Sequence, residues 1–325
     1  VKITVLGAGA WGTTLARHLV HNGHAVTLWA HRPESLASIA ETRRHKALPG
    51  VEIPLKLRLE PDVERAMDDA DAVVLSVPSK TFRDNCSLIS GFAGIAVSTS
   101  KGIEFETGST PCQIISETMA KAFPAALSGP TLAPEMARGE PAACVAASLD
   151  DSVARRVQQM FHSPAFRVYT STDLRGVELG GALKNPLAIA AGACDGLGFG
   201  DNAKAALLTR ALAEMRRLGV ACGAQSETFG GLSGLGDLTV TCFSKLSRNR
   251  TFGEKIGQGA KVEQLIADSE SVVEGYPTVR AAWQLAQKLG VDTPIIEQIH
   301  AVLYEGKNPR LAVLDLLTRE SKAED

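Results

Sequence analysis

The sequence predicts an α/β chain: an N-terminal doubly wound, mostly parallel sheet followed by an all-α helical domain. Three observations carry this. Up to about residue 170, short apolar runs alternate with helical stretches, the pattern of a parallel sheet covered by helices. The chain opens on a strand-like run, three glycines spaced G-x-G-x-x-G, and an amphipathic stretch. After about Ser171 strand signals fade into alanine- and leucine-rich segments of helical spacing. A length of 325 residues suits two domains, expected over 1–172 and 173–325.

Taken in order, Lys2 to Leu6 reads as the first strand, a helix starts near Trp11, and Ala25 to Ala30 is the second strand. Further strands are expected in "DAVVLSVP" (71–78), "GIAVSTSKG" (94–102), "PAACVAAS" (141–148) and "FRVYTS" (166–171). "GVELGGALKNPLAIAAGACDGL", "NAKAALLTRALAEMRRLGVAC" and "TVRAAWQLAQKLGV" read as helices. The polar tail "TRESKAED" is expected to fray.

The glycines at Gly7, Gly9 and Gly12 sit between a strand and a helix, with a second strand at the spacing of a βαβ unit. Such a turn lets the backbone approach a pyrophosphate, and the following helix aims its free N–H groups and positive dipole end at the anion. The first domain is therefore expected to be Rossmann-like and to bind a dinucleotide. An acid at the end of the second strand would bond the adenosine ribose of NAD, whereas a cation would pair with the 2′-phosphate of NADP. The chain has "WAHRPES" there, with His31 and Arg32 and no acid until Glu34. Arg32 is read as a 2′-phosphate clamp with His31 as a weaker helper, which favours NADPH over NAD. An arginine on a solvated loop is the alternative.

Three other stretches carry candidate chemistry. In "STSKG", Lys101 follows an apolar strand at the end of the sheet where ligands bind. In "ELGGALKNPLAIAAG", Lys184 and Asn185 interrupt an otherwise apolar helix, and a buried ammonium needs a partner. Gly180 and Ala188, one turn either side, leave room for a backbone or a ligand; a lysine snorkelling to water is the alternative. In "GLGDLTVTCFSKLSRNRTFG", Asp237 follows a glycine turn, and Ser247, Arg248, Asn249 and Arg250 concentrate donors suited to a phosphate. Alone, that segment reads equally as a solvated basic loop.

Composition bounds the partners. Hydrophobic residues make up 45% and charged residues 22% of an ordinary globular chain, and the formal charge of −2 gives no sign of a nucleic-acid partner. The six cysteines, at 86, 112, 144, 194, 222 and 242, stand singly without C-x-x-C or clustered histidines, and read as small core residues in a reducing compartment rather than as metal ligands. The first residues enter a strand at once and no apolar run approaches a membrane span, so a cytoplasmic protein without a signal peptide is expected.

The set "GAGAWGTTLA", "VPS", "STSKG", "SGPTLA", "ELGGALKN", "GLGDL" and "RNR", in this order and across nearly the whole chain, resembles the NAD(P)-dependent glycerol-3-phosphate dehydrogenase family of the soluble bacterial type. The resemblance implies reversible hydride transfer between NAD(P)H and dihydroxyacetone phosphate, giving sn-glycerol 3-phosphate for phospholipid synthesis. It implies that Lys184 is the proton donor and acceptor, and that Lys101 meets both substrate and cofactor. Gly129, Thr131, Asp237, Ser247, Arg248 and Asn249 would complete the substrate site. Ala10, Trp11, His31, Arg32, Ala133, Arg248 and Glu274 would serve the cofactor, with the glycine turn. His31 stands where related chains often carry Arg, and Thr131 where many carry Ser, a change that keeps the hydroxyl. No metal is expected, since the lysines polarise the carbonyl. A homodimer is the expected assembly.

Two other functions fit parts of the pattern. A β-hydroxy-acid dehydrogenase shares the architecture and a helix lysine, but its carboxylate substrate has no need of the "RNR" cluster. A non-catalytic NADPH-sensing module would be favoured by loss of Lys184 or Asp237, and both are present.

Overall fold

The alternation of apolar runs and helices resolves, in a computed structural model that describes residues 1–269, 273–320 and 323, into one eight-stranded sheet and a set of helices. In chain order the sheet region comprises β1 (Lys2–Leu6), α1 (Ala10–His21), β2 (Ala25–Trp29), α2 (Pro33–Thr42), β3 (Arg58–Leu59), α3 (Val63–Met67), β4 (Ala72–Leu75), α4 (Phe82–Leu88), β5 (Ile95–Ser98), α5 (Pro111–Thr118), β6 (Phe123–Ser128), α6 (Ala133–Ala137), β7 (Ala142–Ala147), α7 (Asp151–Phe161) and β8 (Phe166–Ser171). Then follow α8 (Leu174–Gly196), α9 (Asp201–Ala221), α10 (Asp237–Phe243), α11 (Arg248–Gly257), α12 (Val262–Ala267), α13 (Gly275–Leu289), α14 (Pro294–Tyr304) and α15 (Pro309–Leu317).

The strand order is β3-β2-β1-β4-β5-β6-β7-β8, parallel throughout except for the antiparallel β6–β7 pair. Order reverses beside β1, whose Ile3 pairs with Val26 of β2 on one side and Ala72 of β4 on the other. Ligands of such sheets bind outside the carboxyl ends of the strands at this switch point, and the glycine turn follows β1 there. Both faces of the strands are buried. Ile3, Val5, Val74 and Val97 pack with Leu15 and Leu19 of α1 and Val157 of α7. Their neighbours Leu6, Val73, Leu75 and Ala96 pack with Phe82 of α4 and Ile114 and Ile115 of α5. That is the doubly wound arrangement expected.

The sequence reading omits β3 and β6. β3 has only two residues. β6, "FPAALS", carries a proline and two alanines, residues of low strand propensity, yet it lies inside the sheet and its last four residues are buried. Burial on both faces, rather than propensity, makes it a strand.

The chain divides into two compact units, Val1–Lys101 with Ser109–Glu178, and Gly102–Gly108 with Leu179–Asp325. The division thus falls within α8 rather than at 172/173, because Leu174 and Val177 join the apolar layer of Leu75 and Ala126. Residues 102–108 count with the helical unit because Ile103 enters its core and Phe105 packs on it. That core is built from α8, α9, α11, α13 and α14 through Leu183, Met215, Phe252, Val279 and Ile296. Five of the cysteines are buried and Cys222 is half-buried. Of the expected fraying tail, residues 321, 322, 324 and 325 lie outside the described residues. Among the described residues no helix is long and apolar enough to cross a membrane.

Candidate active site

In the sheet unit, each glycine of the opening motif has its own reason. Gly7 has φ +114°, and a β-carbon there would strike the Ser76 carbonyl of the strand next door. Gly12, in the first turn of α1, lies against the Gly7 carbonyl, so the helix can sit down on the turn only without a side chain. Gly9 is different: its backbone is extended, with φ −74°, and a β-carbon would meet nothing within 4 Å. Neither conformation nor packing within the protein demands that glycine, but an incoming pyrophosphate would. Gly9 is also the N-cap of α1, with no side chain capping the helix and no acid in its first turn. The first N–H groups of a 12-residue helix, beginning at Ala10 and Trp11, are therefore offered to an anion. These residues fit a dinucleotide.

Around this turn, Ala10 and Ala133 pack on the same small cluster of Leu48, Val51 and Ala137. The Thr14 hydroxyl of α1 donates to the Ala133 carbonyl at 3.3 Å, which fixes the start of α6 against α1. At the carboxyl end of β2, the Trp29 indole donates to the Pro61 carbonyl at 2.9 Å, and His31 stands edge-on to Trp29 with ring centroids 6.2 Å apart. His31 and Arg32 are both exposed, and Arg32 is the N-cap of α2. After β5, the half-buried Lys101 donates from Nζ to the Gly129 carbonyl at 3.0 Å, and the Thr131 hydroxyl donates to the same oxygen at 3.1 Å. A β-carbon on Gly129 would come within 2.7 Å of the Cys144 Cα, so β6 and β7 close together only around glycine.

In the helical unit, Lys184 is 7% exposed and Asp237 fully buried. Lys184 Nζ lies 2.7 Å from Asp237 Oδ1 and donates to the Thr241 hydroxyl at 2.7 Å. That hydroxyl donates to the Asp237 carbonyl at 2.6 Å. Thr241 lies one turn after Asp237 on α10, so one helix face presents both partners to the ammonium. Asp237 is carried there by a π-helical turn, Leu232–Gly236, and Gly180 of α8 makes the approach possible: a β-carbon on it would sit 2.7 Å from the Ser233 carbonyl. The room foreseen beside Lys184 is thus occupied, on the Gly180 side, by backbone.

Ser247 caps α11 and accepts from the Arg250 N–H at 3.2 Å. Asn249 is buried; its Nδ2 donates to Asn185 Oδ1 at 2.8 Å and its Oδ1 accepts from the Gly275 N–H at 2.9 Å. That bridge ties the neighbour of Lys184 to the first turn of α13, beside Glu274, whose carbonyl accepts from the Thr278 hydroxyl at 2.7 Å. The structure therefore gathers Lys184, Asp237, Asn249 and the Glu274 segment along α8. It also revises the reading of four donors aimed at one phosphate. Arg250 turns inward to Asp195 and Glu254, the Asn249 amide is engaged at both ends, and Arg248, the first residue of α11, is the exposed one. Sequence reasoning missed Thr241, whose only signal is its place four residues after Asp237.

Family comparison matches residues 2–154 to the N-terminal domain, and residues 173–314 to the C-terminal domain, of NAD-dependent glycerol-3-phosphate dehydrogenase. The chain belongs to the NAD-dependent glycerol-3-phosphate dehydrogenase family. It is 47% identical to the glycerol-3-phosphate dehydrogenase [NAD(P)+] of Prosthecochloris aestuarii, covering 99% of each chain. With that of Citrifermentans bemidjiense it shares 48% identity over 99% of this chain and 98% of the relative. The crystal structure of glycerol-3-phosphate dehydrogenase from Coxiella burnetii superposes with a TM-score of 0.94 at 34% identity, covering 98% of this chain and 99% of that one. The family match thus extends over residues of both units of the chain.

Proposed function

We propose that this chain catalyses reversible hydride transfer between NAD(P)H and dihydroxyacetone phosphate, giving sn-glycerol 3-phosphate for phospholipid synthesis. The observation that carries the reading is the buried Lys184–Asp237–Thr241 cluster, a cation held in an apolar helix with two fixed partners.

A bound NAD(P)H supplies the hydride. Gly9 and the first turn of α1 hold its pyrophosphate, and Arg32, helped by His31, takes the 2′-phosphate where NADP is used. As the ketone is reduced, negative charge grows on its oxygen, so an ammonium fixed beforehand stabilises the transition state more than the ground state. Lys184 plays that part and gives its proton to the oxygen; in the reverse direction it takes the proton back. Asp237 and Thr241 hold the ammonium in place and offset its desolvation. Lys101, anchored on the Gly129 carbonyl beside Thr131, meets substrate and cofactor. Arg248 grips the phosphate through its planar fork, and this remote binding energy orients the carbonyl. Ser247, as the cap of α11, and Asn249, through its bridge between Asn185 and Gly275, support Arg248 at that end of the site, and Ala133 and Glu274 line the cofactor side.

We place the enzyme in the cytoplasm as a homodimer, in keeping with its six single cysteines and the implied family assembly; sedimentation at the monomer mass would contradict the dimer. The reading is tested by following nicotinamide absorbance with dihydroxyacetone phosphate and with unphosphorylated dihydroxyacetone. Rapid oxidation of NADPH with the phosphorylated ketone and little with the other is expected. Equal rates with both would contradict a phosphate-gripping site.

A further inference from the structure

The two arginines of "RNR" have different fates. Arg248 is exposed, while Arg250 is 7% exposed and engaged at all three guanidinium nitrogens. Its Nε and Nη2 lie 2.9 and 2.7 Å from Asp195 Oδ2, and its Nη1 lies 2.8 Å from Glu254 Oε2. Asp195 is also held by Lys204 Nζ, at 3.0 and 2.8 Å from its two oxygens. Two cations and two anions thus close into a neutral quartet that joins α8, α9 and α11. Arg250 has no fork left for a substrate.

Beneath the quartet the two helix backbones come unusually close. Gly192 and Gly196 of α8 face Gly253 and Gly257 of α11 so closely that a β-carbon on any of them would strike a carbonyl of the opposite helix: Arg250, Glu254, Ile189 and Ala193 respectively. Where backbone meets backbone at these glycines the crossing packs tightly, and at those points no side-chain knobs set how far one helix slides along the other. A slide of one turn would carry Arg248 about 5.4 Å along α8. Two directional contacts oppose it, the Asn185–Asn249 bridge and the Arg250–Asp195 fork. A buried ion cluster is a poor source of net stability compared with packed apolar residues, whereas its directionality suits the setting of register.

We propose that Arg250 is a positioning residue, which with Asp195 and Glu254 sets the register of α11 on α8 and so places Arg248 for the substrate's phosphate. This rests on the reading of Arg248 as the phosphate ligand. Arg250→Lys keeps the charge and loses the fork. In the full-length enzyme it should raise the KM for dihydroxyacetone phosphate about tenfold, the scale of one weakened charge-assisted hydrogen bond. Turnover of unphosphorylated dihydroxyacetone should stay within about twofold, a split that a general loss of structure would not produce. Since Arg250 acts through Arg248, the double variant Arg248→Ala/Arg250→Lys should match Arg248→Ala alone in kcat/KM. Multiplying losses, or equal losses with both ketones, would overturn the positioning role. Should Arg250→Lys fail to fold, Glu254→Gln, at a side chain 31% exposed, must raise the same KM by about two- to fivefold, and an unchanged KM overturns the proposal. Arg248→Ala alone separates the two readings. If it leaves the preference for the phosphorylated ketone intact, the phosphate reading fails and takes the positioning role with it. If it abolishes the preference while Arg250→Lys does not touch it, the positioning role alone fails.

Discussion

Lys184 Nζ and Asp237 Oδ1 lie 2.7 Å apart with both side chains almost wholly out of water, so each charge is tolerable only because of the other. Removing one partner leaves an uncompensated buried charge, a cost of about 3–5 kcal/mol, whereas removing both charges at once costs much less. Lys184→Met should therefore destabilise the fold strongly, and Lys184→Met/Asp237→Asn should recover most of the loss. Urea denaturation of the two variants checks this. Additive losses would show that the pair is not coupled.

The glycine turn separates a packing role from a binding role. Gly12→Ala drives a β-carbon into the Gly7 carbonyl and should cost about 1–3 kcal/mol of stability, the range for overpacking. Gly9→Ala has an allowed φ and open space, so the melting temperature should hardly move. Its methyl group would occupy the pyrophosphate's approach, and NADPH binding should weaken about tenfold or more. Calorimetric melting with a cofactor titration on both variants decides. Unchanged NADPH affinity in Gly9→Ala would place the pyrophosphate elsewhere.

The end of β2 offers a cation and no acid before Glu34, so Arg32→Asp should move preference from NADPH toward NADH. The ratio of kcat/KM values should change by about tenfold or more, the effect of removing one charge-assisted contact and adding a ribose acceptor. Arg32 is exposed, so stability should be unaffected. A constant ratio would remove Arg32 from the cofactor site.

Much of this was legible because the chemistry needed particular residues in particular places. The glycine turn, the missing acid after β2 and a lysine within an apolar helix are local signals. Other features were not local. β6 is a strand because both its faces are covered, and nothing in "FPAALS" announces that. Asn249 faces Asn185, and Arg250 faces Asp195, only because four glycines let α8 and α11 touch, a pairing written in two segments far apart in sequence. Composition alone could not divide the "RNR" donors into an outward Arg248 and an inward Arg250. Thr241 carries no signal beyond its helical spacing from Asp237.

Glu214 is a buried carboxyl outside the candidate site. On α9, it is 1% exposed and accepts the N–H groups of Ile295 and Ile296, at 2.6 and 3.2 Å, in the first turn of α14. Burial pushes its carboxyl up from 4.5 to about 7, against the pull of those two N–H groups. The folded protein thus binds this proton more tightly than the unfolded chain. The resulting stability is complete below pH 4.5 and is lost as pH rises through about 7. Across that window the contribution is on the order of 3 kcal/mol. Glu214→Gln should flatten this part of the pH–stability curve, measured as the difference from wild type in urea denaturation. Parallel curves for the two proteins would contradict the assignment.

The central claim is that Lys184 delivers the proton to the reduced ketone, and the most direct test is single-turnover hydride transfer from NADPH to dihydroxyacetone phosphate. Because either single change strands a buried charge, urea denaturation and NADPH binding are measured on both Asp237→Asn and Lys184→Met/Asp237→Asn before their rates are compared. Loss of the ammonium should leave NADPH affinity nearly unchanged and slow the transfer by roughly 10²–10⁴-fold beyond Asp237→Asn, the range for a lost general acid. Transfer at the same rate in both variants, with NADPH binding intact, would make Lys184 a structural residue and contradict the account.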